Sequence, residues 1–430
     1  STLPSNANSY FYPGVSASFI ASDALKFKRD WFSFCKLRAN AAQTATDTDP
    51  FKTEFYYITT LFGGQQSSSF QLVIPPADLK PQRTNAYEAG TNLGFFNDHI
   101  TIDLTYYYKY SFDQIIGLPV ATSTGAPFIV TNEGVITNKG VELILNATVL
   151  EKKNFMFKTG FNFTRNRNKV VSLGGYDSPY PLANIWVDNG PKMYLHEGDD
   201  FGTIYGWDYV YKDGKRVVND DGKTYQLTPA QVPVGNASPH FLAGWMTEFK
   251  YKNISLRTLI DSKWGGDIYC GTYVTGLQTG QSPETLLERD GGGLPITDAN
   301  GNTTNTGVIL EGVHEDGTPN TTVVPYIYKY LPNEGGWGHF LTTPGIVEDT
   351  WVKFREVTLS YHFPAKLVSK TKVFQEFSIL FTARDLFYIY STVPDRINPE
   401  GLMGAGDAQG FEWASLPGVR SFSFGISARF

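Results

Sequence analysis

The sequence has little of what most protein classes need. Two cysteines in 430 residues, Cys35 and Cys270, cannot make a disulfide framework. Two free thiols suit them better than one bridge. No run approaches eighteen apolar residues, which excludes a transmembrane helix. It does not exclude a membrane, because barrel strands spread their apolar residues over alternate positions. Charged residues make up only 18%, the net charge is −6 and no basic stripe is present, so nucleic acid is excluded as a partner. Catalytic signatures are also missing. His314-Glu315 lacks the second histidine of a zinc helix. Gly14-Val15-Ser16-Ala17-Ser18 lies in a strand pattern and is no nucleophile elbow. The six histidines are scattered. The chain is expected not to be an enzyme and to hold no metal among its histidines. No secretory leader opens it; Ser1-Thr2-Leu3-Pro4 reads as the middle of something.

What is abundant is aromatic and alternating. The chain carries 25 Tyr, 31 Phe and 42 Gly. From Ile100 to Phe112 every even position is apolar or aromatic, through Ile102, Leu104, Tyr106, Tyr108 and Tyr110. The odd positions are polar apart from Tyr107. Strand side chains alternate faces, so this stretch has one greasy face and one wet face. Val135–Leu150 repeats the pattern with Ile144 out of phase, and Asn154–Leu173 sets Phe155, Phe157, Phe161 and Phe163 against Lys158, Asn162 and Thr164. Soluble sandwiches alternate too, but rarely over strands this long with stacked Tyr and Phe. A transmembrane barrel has both features.

The same reading gives eleven strands: 10–21, 31–44, 85–96, 98–116, 135–150, 154–173, 239–250, 254–270, 349–364, 374–391 and 418–430. Asn97-Asp98 is a two-residue hairpin signal. Short connections (22–30, 97–98, 151–153, 251–253, 364–373) alternate with long ones (45–84, 117–134, 174–238, 271–348, 392–417), as in an outer-membrane barrel with its short turns periplasmic. Parity places 203–227 as a hairpin inside an external loop, with turns at Asp213-Gly214 or Asp221-Gly222. Ser282-Pro283-Glu284 starts a short helix running through Arg289. Eleven strands with open edges would expose unpaired backbone to lipid. The chain is therefore expected to be part of a barrel closed by other residues.

Five segments carry a family resemblance. Gly134–Leu143 (GVITNKGVEL), Phe95–Tyr106 (FFNDHITIDLTY), Trp351–Tyr361 (WVKFREVTLSY), Ala383-Arg384-Asp385-Leu386 and Asn398-Pro399-Glu400 occur in the order found in SusC/RagA-type TonB-dependent outer-membrane transporters. The family's "G-R-N-L" has Asn where this chain has Asp385. Its "D-P-E" has Asp where this chain has Asn398. The terminal Phe422–Phe430 ends in an aromatic, as barrel-insertion signals do, with Ala428 smaller than usual. The resemblance implies an all-β fold: a transmembrane antiparallel β-barrel with long extracellular loops, of which residues 1–430 are the C-terminal half, eleven of 22 strands. Plug, TonB-contacting segment and first half would lie elsewhere.

The implied function is TonB-dependent import of bulky nutrients, oligosaccharides or oligopeptides, across a Gram-negative, Bacteroidota-like outer membrane. The implied partners are a SusD-like surface lipoprotein lid, the N-terminal plug and barrel half, the TonB complex acting through that half, and outer-membrane lipid. A surface adhesin or a structural barrel is the competing class. No cofactor is implied. Ca²⁺ on the partner or at a loop such as Asn219-Asp220-Asp221 is open, though no complete ligand loop is visible and a solvated turn is the simpler reading. Loop aromatics Tyr176, Tyr180, Trp186, Tyr194, Tyr326, Tyr328, Tyr330 and Trp337 are candidates for contact with substrate or lid, or pack loop on loop. Asp103, Tyr107, Lys109, Glu142, Asn162 and Arg257 lie on wet faces and are candidates to line the lumen.

Overall fold

The computed structural model describes the chain except residues 1–2, 4–8, 27–28, 49–52, 55, 71–72, 77, 122, 124, 127, 176–179, 185–189, 331–341 and 405–408. It divides into two compact units, 1–180 with 195–201, and 181–194 with 202–430. Long strands alternating in face build both.

The first unit holds six long antiparallel strands: β1 (Gly14–Ile20), β2 (Phe34–Thr46), β3 (Gln82–Phe95), β4 (Ile100–Phe112), β5 (Val135–Lys152) and β6 (Phe155–Ser172). Each pairs with its neighbour in sequence. Register makes cross-strand rows. Cys35, Leu93, Ile102, Leu145 and Phe161 form one row, and Leu37, Thr91, Leu104, Leu143 and Phe163 the next. Leu37, Leu104 and Tyr106 on this face stay exposed; among the described residues no second layer covers them. The tight turn of β3 to β4 puts Phe96, Asn97 and Asp98 all at positive φ. Two of the three are residue types that tolerate this conformation. The strand expected over 98–116 stops at Asp113, which also has positive φ, and Ile115–Pro119 turns away to pair with Phe128–Asn132.

The second unit holds five long antiparallel strands: β7 (Phe241–Tyr251), β8 (Ile254–Trp264), β9 (Trp351–His362), β10 (Glu376–Ser391) and β11 (Ser421–Arg429). Their rows repeat the two-faced pattern. Phe249, Leu256, Leu359, Phe381 and Phe424 share one face; Glu248, Arg257, Thr358, Thr382 and Ser423 share the other. Phe424 is 85% exposed and Ile426 71%, again with none of the described residues laid over them. All eleven expected strands are thus present, with ends displaced by a few residues. The one expected over 254–270 breaks at Gly265-Gly266, where both residues take positive φ. Asp267–Cys270 then joins Ile346–Glu348 and, in parallel, Phe411–Glu412.

The long connections of this unit are themselves folded. Met193, Ile204, Tyr269, Val274 and Phe411 form a buried core drawn from three connections, and a helix over Gly271–Thr279 supplies Val274. The 203–227 stretch differs from the single expected hairpin. Thr203–Gly206 pairs with Lys192–Leu195 and Val232–Asn236 instead, because its apolar side chains are buried in this core. Both expected turns exist, at Asp213-Gly214 and at Asp221-Gly222. Ser282 caps the short helix as expected, its hydroxyl accepting from the Glu284 N–H.

Candidate functional site

Register brings five of the six wet-face residues together in the first unit. The row Arg38, Gly90, Thr105, Glu142, Thr164 lies beside the row Lys36, Asn92, Asp103, Ile144, Asn162 and the row Asn40, Glu88, Tyr107, Gly140, Asn166. Lys109 follows one row further, its ammonium 5.1 Å from the Tyr107 ring centroid. The rows are cross-linked. Arg38 reaches across Gly90, donating to Asn92 Oδ1 and Asp103 Oδ1, each at 2.5 Å, and to Thr105. Asn92 Nδ2 donates to Asp103 Oδ2 at 2.6 Å. A Cβ on Gly90 would lie 2.9 Å from the guanidinium, so a side chain there would displace it. Tyr107 likewise lies over Gly140 and donates to Asn166 Oδ1 at 3.0 Å. Glu142, Ile144 and Asn162 are exposed on the same face. Arg257, the sixth residue, lies in the second unit and pairs with Glu248 at 3.3 Å.

The densest polar cluster was not expected. It forms where β9 and β10 bulge at one level. Arg355 has no cross-strand partner on either side, because Leu259/Ile260 face Glu356/Phe354, and Phe354/Glu356 face Phe387/Arg384. Opposite it Asp385 takes φ +55. A bulge re-aims a side chain, and Asp is one of the few residues at ease at positive φ. Arg355 thereby reaches Asp385 at 2.8 Å, Asp261 at 3.0 Å and Glu400 at 2.6 Å. Lys353, 6% exposed, reaches Glu400 at 2.6 Å and Asp385 at 2.8 Å. Tyr388 donates to Glu400 and Asn398 at 2.8 Å. Burial works against ionisation of Glu400, but the bonds from Arg355, Lys353 and Tyr388 outweigh it and hold the carboxyl below its usual range. The signal was in the sequence: Lys353, Arg355, Asp385 and Glu400 lie inside three of the segments that carry the family resemblance.

A second buried carboxylate ties two loops. Glu412 is 1% exposed and accepts from Thr272 Oγ1 at 2.7 Å, Ser415 Oγ at 2.8 Å and Cys270 Sγ at 3.1 Å. Burial pushes the Cys270 thiol up, so it is an inert core group and not a nucleophile. Among the described residues no group of three or more His, Cys, Asp and Glu is placed to hold a metal ion.

The loop aromatics divide. Tyr176, Trp186 and Trp337 lie outside the described residues. Tyr180 accepts from the Gly117 N–H, and Tyr194 packs edge-on to Tyr205. Tyr330 is buried and directs its hydroxyl at Glu284, and Tyr328 packs on the cluster of Tyr209, Val218, Tyr225, Leu310 and Val324. These contacts are loop on loop.

Two-faced strands of this kind have a counterpart in known proteins. The model of the TonB dependent receptor-like β-barrel matches residues 2–259. The chain belongs to the TonB-dependent receptor β-barrel family. TonB-dependent receptor P3 of Formosa agariphila is 22% identical over 99% of the chain and 42% of its own length. TonB-dependent receptor SusC of Bacteroides thetaiotaomicron is 27% identical over 45% of the chain and 20% of its own length. The structure of the RagAB peptide transporter aligns over 99% of the chain and 44% of the matched chain, with a TM-score of 0.69 at 17% identity, and so shares the fold. The eleven long strands are therefore those of an outer-membrane antiparallel β-barrel, and the exposed apolar rows are its lipid face. The chain spans about two fifths of the length of P3 and of the matched RagAB chain.

Proposed function

We propose that residues 1–430 form part of the wall of an importer that takes bulky nutrients, oligopeptides or oligosaccharides, across the outer membrane with energy from TonB. The observation that carries this reading is the pair of faces: apolar rows that none of the described residues cover, backed by rows that are mostly polar. The polar rows, with Asp103, Tyr107, Lys109, Glu142, Asn162 and Arg257, line a hydrated passage in this reading. Similarity to SusC and to the RagAB peptide transporter supports it. The plug, the TonB-contacting segment and the remaining strands belong to sequence beyond this stretch. A SusD-like lipoprotein sits on the folded external loops as a lid.

Two experiments test the proposal. Uptake of labelled oligopeptides and oligosaccharides is measured in cells with the gene intact, deleted, or combined with a TonB deletion. Uptake of one class should vanish in both deletions; uptake indifferent to TonB overturns the import reading. For the lid, tagged transporter lacking 320–340 should co-purify less lipoprotein than the intact chain. Equal recovery removes that loop from the lid contact.

A further inference from the structure

The short-turn end of the second unit joins a line of aromatic rings to a set of unanswered lysines. Tyr251 and Tyr361 lie two residues beyond Phe249 and Leu359, on the lipid face. From Tyr361 the rings follow one another along this end. Phe363 stands 5.0 Å from Tyr361, Phe377 5.2 Å from Phe363, Phe374 5.7 Å from Phe377, and Phe430 5.1 Å from Phe374. Rings gathered at the end of a lipid face mark the level of the headgroups. Short turns of such barrels are periplasmic, so these headgroups belong to the periplasmic leaflet.

Four lysines stand at the same end. Lys252 lies in the turn of β7 to β8, its ammonium 5.3 Å from the Tyr251 ring centroid. Lys366, Lys370 and Lys372 lie in the connection of β9 to β10. That connection is folded, with helical turns over Ala365–Val368 and Ser369–Thr371 and with Val368 buried. Thr371 Oγ1 donates to the Val368 carbonyl at 2.7 Å and accepts from the Phe374 N–H at 3.2 Å. The two turns adjoin: the His362 N–H donates to the Asn253 carbonyl at 2.8 Å, and Asn253 Nδ2 donates to the His362 carbonyl at 2.7 Å. All four lysines are exposed, and among the described residues no carboxylate lies within ion-pair distance of any of them. The charged neighbours Arg429 and Glu376 stand 3.9 Å apart and answer each other.

Charge is divided between the two ends of this unit. Residues 364–373 hold three lysines and no acidic residue, whereas 271–348 hold nine acidic residues against Arg289 and Lys329. Leu367 and Val373 stay exposed among the lysines. Apolar side chains with ammonium groups beside them suit the boundary between acyl chains and water. In the first unit the turn of β5 to β6 carries Lys152 and Lys153, with Glu151 offsetting one charge, beside exposed Val149 and Leu150.

We propose that this rim binds anionic phospholipids of the periplasmic leaflet, with Lys252, Lys366, Lys370 and Lys372 on the headgroup phosphates and the line of rings against the upper acyl chains. Charge complementarity and continuity with the lipid face carry the inference. A zwitterionic lipid would cover the rings but leave the lysines without net countercharge. An acidic protein would answer the lysines but not the rings. The inference is independent of what the barrel imports.

The test is native mass spectrometry of the detergent-purified full-length transporter, with dioleoylphosphatidylglycerol and dioleoylphosphatidylcholine as probes at equal concentration. Wild type should retain phosphatidylglycerol in preference, and added salt should narrow the difference. Through K366Q, K366Q/K370Q and K366Q/K370Q/K372Q, affinity for phosphatidylglycerol should fall about fivefold for each lysine removed, with phosphatidylcholine unchanged. K366R/K370R/K372R should keep the preference. So should K212Q/K215Q/K223Q, which removes the same charge from a long connection. Heat-modifiability confirms that each variant is folded. Equal retention of the two lipids by wild type overturns the proposal, as does an unchanged preference in the triple glutamine variant. An equal loss in K212Q/K215Q/K223Q also overturns it, because net charge and not the rim would then set the preference.

Discussion

Arg355 and Asp385 face one another across paired bulges, Nη1 2.8 Å from Oδ1, each outside the regular ladder of its own strand. Extending the register of Glu356 with Arg384 by one residue would set the two opposite each other, and the shift to Phe354 with Phe387 takes both out of the ladder. Outside the ladder, Arg355 also reaches Asp261 and Glu400.

Asp385 is held at φ +55, where a β-branched side chain is strained. D385V should therefore cost about 1–3 kcal/mol of barrel stability. D385N, which keeps the positive-φ tolerance, should cost clearly less. Heat-modifiability on gels, read as the temperature at which the folded band is lost, measures both. An equal loss for the two variants would show that charge, and not backbone, sets the choice.

Glu400 belongs to the connection between β10 and β11, and its folded carboxyl lies below the ordinary value of 4.5. A depressed carboxyl adds stability that is complete above 4.5 and disappears as pH falls through the folded value. Protection of the 392–417 connection from an acid-active protease should hold at neutral pH and fail only well into acid. E400Q should lose that protection already at neutral pH. A protection profile identical for wild type and E400Q would remove Glu400 as the anchor.

Lys263 and Asp349 form an ion pair at 2.5 Å, with Asp349 only 1% exposed. Burial raises the Asp349 pKa despite the lysine. K263M leaves that carboxylate buried and unpaired, a loss of about 3–5 kcal/mol at neutral pH. A raised folded pKa means the penalty is absent below the unfolded value of 3.8 and grows as pH rises through the folded one. The deficit of K263M should thus shrink on acidification, and D349N should relieve it at neutral pH. A deficit independent of pH would point to lost packing of the lysine stem instead.

Gly140 has no room for a Cβ, which would lie 2.4 Å from the Tyr107 hydroxyl and 2.5 Å from the Arg165 carbonyl oxygen. G140A should destabilise by about 1–3 kcal/mol, as overpacking does. Y107A should recover only part of it, because the carbonyl stays. Urea unfolding followed by tryptophan fluorescence gives the cycle, and full additivity would mean the ring and the glycine are not in contact.

Much of this architecture was legible in the residues. Period-two alternation reads directly as a two-faced strand, so Ile100–Phe112 and its neighbours were found, and with them the shared face of Asp103, Tyr107, Lys109, Glu142 and Asn162. Strand ends were less legible, because they depend on single backbone torsions at Asp113 and at Gly265-Gly266. The interior of the long connections was not legible at all. Asp267–Cys270 pairs with Phe411–Glu412 in parallel, across more than 140 residues, and no local pattern announces such a partner. The Lys353, Arg355, Asp385 and Glu400 cluster escaped for the same reason: three separate segments must meet before their charges make sense.

Tyr107 lying over Gly140 has a consequence for descent. The glycine in GVITNKGVEL is the imprint of a ring carried two strand residues past Thr105 on the neighbouring strand. The glycine is not free to drift while the ring and the Arg165 carbonyl stay. Losing the tyrosine does not release the glycine, because the Arg165 carbonyl oxygen still stands 2.5 Å from any Cβ there, and filling the glycine requires both to give way. A receptor with a side chain at this glycine would therefore mark a wall in which both the ring and the facing backbone have been rebuilt.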